Sequence, residues 1–128
     1  LAYTFRHMYD LEERTAKLGE NVIRLCKTLR EDTISKPIIN QCVRSATSVG
    51  ANYMEANGAS SKQDFRNKIF ICKKEAQETK HWLRMLTAHF PDRREDTALL
   101  WKDCQELTLI FNKIGSSLKP PVSKLKID

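Results

Sequence analysis

Leu11, Leu18, Val22, Leu25 and Leu29 follow one another at steps of seven, four, three and four. Such steps return an apolar side chain to the same face of an α-helix at nearly every turn. Glu12, Arg14, Lys17, Glu20, Arg24 and Lys27 fall mostly elsewhere on the projection. The pattern predicts an amphipathic helix from about Asp10 to Arg30. Asp10 and Glu13 form a capping-box pattern that would satisfy the first backbone donors.

Three more stripes follow. Thr33 to Pro37 interrupts the chain; Ser35 can cap a second helix, with Pro37 in its first turn, where a missing amide costs little. Ile39, Cys42, Ala46, Val49 and Tyr53 carry that seam to about Met54. Gly58, Ser60 and Ser61 end it, and Ser60 to Gln63 reads as a second capping box. The third stripe is Phe65, Ile69, Cys72, Ala76, Thr79, Leu83 and Leu86, closed by Phe90-Pro91. Asp92 and Glu95 should cap a fourth helix with Leu100, Cys104, Leu107, Phe111, Ile114 and Leu118, which Pro120 and Pro121 end.

Long amphipathic segments joined by short connections favour antiparallel neighbours. Alternating steps of three and four suit near-parallel packing at a shallow angle. The expected fold is therefore all-α: an antiparallel up-and-down four-helix bundle over residues 10–119. An N-terminal arm, 1–9, would precede it and a basic tail, 120–128, with Lys124 and Lys126, would follow. The chain opens on Leu1, and His7-Met8 is compatible with a cloning junction or a natural start, so no functional reading rests on residues 1–8.

Composition fits one domain with a real core: 128 residues, 41% hydrophobic and 30% charged. Lys and Arg outnumber Asp and Glu by 22 to 16, for a net charge of +6. That excess biases the partner towards anions, whether nucleic acid, an acidic protein or an anionic membrane, without choosing among them. No apolar run approaches the roughly 20 residues of a membrane span, and no signal-peptide pattern is present. The expectation is a cytoplasmic protein without membrane attachment. Cys26, Cys42, Cys72 and Cys104 stand singly near the apolar stripes, as small core residues in a reducing compartment would.

Two helices depart from a plain solvated bundle. Between Ser35 and Gly58 the only charges are Lys36, Arg44 and Glu55. Gln41, Arg44, Ser48, Asn52 and Glu55 share a narrow face opposite Ile39, Ala46 and Val49. Ser45, Gly50 and Ala51 are small enough to admit another helix. Either this face is simply polar and exposed, or a second subunit covers it with Arg44 and Glu55 paired; the shortage of charge favours the second. On the third helix Lys62, Arg66, Lys73, Lys80 and Arg84 fall within about 40° of one another. A row of cations along a rod can track phosphates, although helix charges are often only a wet face. Asp64, Ile71, Glu75, Glu78 and Trp82 collect on the far side, where Arg44 is the natural partner for Glu75 or Glu78.

Catalytic patterns are scarce. Glu78 and His81 make one Glu-x-x-His pair, but di-iron bundles need two such pairs and further inward carboxylates. There is no CxxC, Gly-rich phosphate loop or serine-nucleophile motif. The sequence predicts no enzyme, cofactor or metal.

From Gln41 to Leu86 the chain runs QCVRSATSVGANYMEANGASSKQDFRNKIFICKKEAQETKHWLRML. With Gln41, Arg44, Ser48, Asn52, Glu55, Ser61, Phe65, Lys74-Glu75-Ala76, Glu78 and Trp82-Leu83, this resembles a known family. Its members are the four-helix-bundle proteins encoded in intervening sequences of bacterial 23S ribosomal RNA genes, related to accessory proteins of diversity-generating retroelements. The lead-in from Tyr9 to Ile23 is similar as well. Glu55-Ala56 departs from the Glu-Gly of many members and resembles the Asn-Tyr-x-Glu-Ala branch. The resemblance implies a ring-like homopentamer and relatives that bind nucleic acid and a reverse transcriptase through a basic surface.

The expectation is a non-catalytic oligomeric scaffold binding RNA or a ribonucleoprotein. Lys62, Arg66, Lys73, Lys80 and Arg84 would contact phosphates. Gln41, Arg44, Ser48, Asn52, Glu55, Glu75, Glu78 and Trp82 would serve assembly or internal pairing. Partners would be further copies of itself, RNA or DNA, and a reverse transcriptase or ribosomal component. The competing reading is a module for an acidic protein partner, with no nucleic acid. No aromatic–basic stacking motif of the kind that reads single strands is present, so any nucleic-acid binding is expected to be backbone-directed, weakly selective and sensitive to salt.

Overall fold

The computed structural model describes the backbone of residues 2–118 and the side chains of residues 11–118; the basic tail lies outside them. Four helices follow in order: α1 (Ala2–Lys27), α2 (Ser35–Asn57), α3 (Lys62–His89) and α4 (Arg94–Ser117), with a 3-10 turn, Pro91–Arg93, before α4. Helix α1 begins well before Asp10, which therefore lies inside the helix instead of capping it. Nothing from Ala2 to Tyr9 is glycine or proline, so no residue stops the helix from extending upstream. The expected arm is thus, from Ala2, the first turns of α1.

The caps differ from expectation in instructive ways. Ser35 is already helical, and the capping oxygen belongs to Asp32, whose Oδ1 accepts from the Ile34 and Ser35 amides at 2.9 and 2.8 Å. The Ser35 hydroxyl turns back instead, donating to the Arg30 carbonyl at 2.8 Å and accepting from the Asp32 amide at 2.9 Å. Asp32 Oδ2 also lies 2.9 Å from His89 Nε2, which ties this connection to the last residue of α3. For α3 the cap is Ser61, not Ser60: its Oγ accepts from the Asp64 amide at 3.0 Å, while Asp64 reaches back to the Ser60 amide at 3.2 Å. Helix α4 has no side-chain cap; Phe90-Pro91 leads into the 3-10 turn, displacing the role expected of Asp92 and Glu95.

Cross-helix contacts give the chain directions. Arg44 meets Glu75, Val49 meets Cys72 and Glu55 meets Lys68, so α2 numbers rise as α3 numbers fall. Lys73–Asn112, Lys80–Gln105 and Thr87–Thr97 do the same for α3 and α4. Gly19 against Thr47 and Gly50 against Thr15 reverse α1 on α2, and Arg14–Asp103 with Thr28–Arg93 reverse α1 on α4. The backbones form a square: each helix packs on its two neighbours and the diagonal pairs stay apart. The bundle is antiparallel throughout.

The predicted stripes converge on the axis. Leu18, Val22, Cys42, Ala46, Val49, Cys72, Ala76, Leu86, Cys104 and Leu107 are wholly buried. Each large aliphatic side chain among them contributes roughly 1.5–3 kcal/mol against leaving it in water. Tyr53 and Phe111 meet across the diagonal with ring centroids 6.3 Å apart. Phe65, Leu100 and Ile114 only border the core. Two small residues of α2 have neighbours within the chain: a Cβ on Gly50 would lie 3.4 Å from the Thr15 carbonyl oxygen, and Ser45 accepts from the Thr79 hydroxyl at 2.8 Å. Among the described residues no helix is long and apolar enough to cross a membrane.

Candidate nucleic-acid interface

Helix α3 divides the charged residues between its two neighbours. On the α2 side, Arg44 donates to Glu75 Oε1 at 3.3 Å and to Glu78 Oε2, which also accepts the Trp82 indole N–H at 2.9 Å. The Trp82 bond, followed by the Arg44 guanidinium, holds the Glu78 carboxyl below its ordinary range. Gln41 Oε1 accepts from Arg44 Nε at 2.9 Å; Ser48 and Asn52 bond back to carbonyls one turn earlier; Glu55 takes Lys68 at 2.7 Å. The two charges of the undercharged α2 row, Arg44 and Glu55, therefore find their partners on α3 of the same chain. Arg44 had two candidate acids in the sequence and uses both.

On the α4 side lie the cations. Lys73 donates to Asn112 Oδ1 at 3.0 Å and Lys80 to Gln105 Oε1 at 2.5 Å, so both are half-buried and held by neutral amides. Lys62 and Arg84 are exposed and Arg66 is half-exposed. Among the described residues none of these five cations pairs with a carboxylate. Arginine usage sharpens the contrast. Among the described residues Arg14, Arg24, Arg30, Arg44 and Arg93 each meet an acid, whereas Arg66, Arg84 and Arg94 meet none, and those three line the α3–α4 depressions.

The groove has two shallow depressions. One, about 310 Å³, is lined by Arg66, Phe70, Lys73 and Asn112 among others. The second, about 450 Å³, is lined by Arg84, Arg94 and Trp101 among others. Neither wall contains an acidic residue. A further depression, about 610 Å³ between α1 and α2, is rimmed by Glu12, Glu13 and Glu20 and lies on the opposite side of the square.

Sequence reasoning missed the α4 half of this surface. Arg94, Trp101, Gln105 and Asn112 recur at steps of seven, four and seven, so the projection applied to α3 would have found them. Phe70 escaped because it sits beside the cation row, not within it.

Other chemistry is sparse. Glu78 is committed to Arg44 and Trp82, while His81 packs edge-on against the Trp82 ring at 4.8 Å. Among the described residues no group of three or more His, Cys, Asp or Glu is placed to hold a metal ion. The four thiols are buried, and burial pushes Cys72 and Cys104 up to about 12.

Comparison with known proteins gives consistent results. No functionally curated protein matches the chain. A crystal structure of a protein of unknown function from the S23 ribosomal protein family of Bacteroides thetaiotaomicron VPI-5482 superposes with a TM-score of 0.73 at 30% identity, over 82% of this chain and 97% of that one. Residues 9–113 match the family described as 23S rRNA-intervening sequence protein. With the same bundle, and a match over most of its length, the chain belongs to the 23S rRNA-intervening sequence protein family.

Proposed function

We propose that the protein is a non-catalytic, self-associating scaffold that binds RNA or a ribonucleoprotein along its α3–α4 edge. The observation that carries this reading is the segregation of arginines that meet no carboxylate among the described residues: Arg66, with Lys73, lines one acid-free depression on the α3–α4 side, and Arg84 and Arg94 line a second. A row of cations with no internal counter-ion favours a polyanion, since each phosphate it meets releases condensed counterions from the nucleic acid. Self-association is compatible with this use. Ala16, Gly19, Thr47, Gly50 and Ala51, with Ile23 and Met54 beside them, form the α1–α2 groove on the other side of the bundle. A subunit seated there would leave the cationic edge open.

The test is fluorescence anisotropy with a structured RNA and a DNA duplex. The triple variant Lys62→Ala, Arg66→Ala, Arg84→Ala should bind about tenfold or more weakly at moderate salt. Replacing Lys17, Lys27 and Lys36 with Ala removes the same charge from other faces and should cost far less. No binding by the unaltered protein, even at low salt, would discard this reading and leave an acidic protein as the expected partner.

A further inference from the structure

The two depressions of the α3–α4 groove each pair arginine with an aromatic ring that the core does not use. Phe70 is 58% exposed beside Arg66 and Lys73; Trp101 is 41% exposed beside Arg84 and Arg94. Phe70 in particular forgoes most of the gain that burial of its ring would bring. The Lys80 ammonium lies over one face of the indole, 5.1 Å from the ring centroid, so a base would stack on the other face.

We infer that this groove takes single-stranded RNA, with unpaired bases stacking on Phe70 and Trp101 while the flanking cations hold the phosphates. The inference rests on the RNA-binding reading above and narrows it. Base–aromatic stacking needs an exposed π-face, and every unpaired base offers one. A duplex hides its base faces and presents only backbone and groove edges. A duplex would thus be held by the cations alone, and the rings would add nothing. The spacing suits a strand. The Lys73–Asn112 and Lys80–Gln105 contacts place Trp101 level with Arg84, fourteen residues beyond Phe70. At 1.5 Å per residue the rings stand about 21 Å apart along the groove. Several nucleotides are required to cover that length, in keeping with single-strand sites of about four nucleotides and more. The helices assemble this surface from distant parts of the chain, which is why no contiguous motif announces it.

The experiment compares a short unstructured RNA with a duplex RNA of equal length, using Phe70→Leu and Trp101→Leu, which keep an apolar side chain and remove the ring. Each variant should weaken single-strand binding about tenfold while duplex binding stays within about twofold. Unchanged single-strand affinity, or equal loss on both probes, would overturn the stacking inference and leave phosphate binding standing. If the unaltered protein binds neither RNA but retains poly-glutamate, both the inference and the RNA reading fall.

Discussion

Lys80 joins α3 to α4 twice over: its ammonium donates to Gln105 Oε1 at 2.5 Å and stands 5.1 Å from the centre of the Trp101 ring. The residue is therefore part of the packing as well as of the cationic row. Lys80→Met keeps the apolar stem and loses both interactions. A partly exposed cation–π contact contributes about 0.5–1 kcal/mol, and a hydrogen bond to a neutral amide a similar amount. Urea denaturation should show a loss of no more than about 2 kcal/mol. An unaltered midpoint would mean that the lysine is merely solvated.

Arg44, Glu75, Glu78 and Trp82 form the corresponding link between α2 and α3. The Arg44 side chain is 43% exposed and that of Glu78 39%, so solvent screens the pair strongly. A double-mutant cycle with Arg44→Ala and Glu78→Gln should return a coupling of about 0.5–1 kcal/mol. A coupling indistinguishable from zero would show that this seam contributes alignment without stability.

Acid should loosen the molecule at named places. The backbone amide of Ser35, then His89, hold the Asp32 carboxyl well below the usual carboxylate range, and Trp82 and Arg44 lower that of Glu78. A depressed folded-state value means a contribution fully present above the unfolded value, near pH 4, and lost as pH falls through the folded one. Thermal melts should accordingly show a falling midpoint below about pH 4. Asp32→Asn, which keeps a capping oxygen but removes the titrating carboxylate beside His89, should shrink that acid-dependent fall. An acid limb identical to that of the unaltered protein would contradict the assignment.

Glycine substitutions should separate tight helix contacts from open ones. A Cβ on Gly115 would meet nothing within 4 Å, so Gly115→Ala should stabilise α4 by about 0.5–1 kcal/mol. Gly50 faces the Thr15 backbone, and Gly50→Leu should destabilise by about 1–3 kcal/mol by prising α1 from α2. Calorimetry of the two variants would show opposite signs; equal shifts would mean that the α1–α2 spacing is not set there.

The core was legible because burial follows the three-and-four step that the sequence displays. Every apolar residue predicted for the α1 and α2 seams is buried, and α3 departs only at Phe65, near its N-terminal end, which is partly buried against the core. Caps slipped wherever two competent residues adjoin, as with Ser60 and Ser61, since either hydroxyl can serve and the choice depends on chain direction. The Asp32 cap was missed because its carboxylate serves the helix from outside the predicted boundary. Arg44's partners followed from charge and helix projection alone. The groove as a whole did not, because bringing Trp101 beside Lys80 and Arg84 depends on the register of α4 on α3, which a single helix does not encode.

The most direct test of the central claim is lysine footprinting: acetylation of the protein with and without saturating RNA, read by mass spectrometry. The account predicts protection of Lys62, Lys73 and Lys80, with Lys17, Lys27 and Lys36 labelled as in the unbound protein. Protection of the α1 and α2 lysines, with those of α3 still fully reactive, would place the RNA on another face and contradict it.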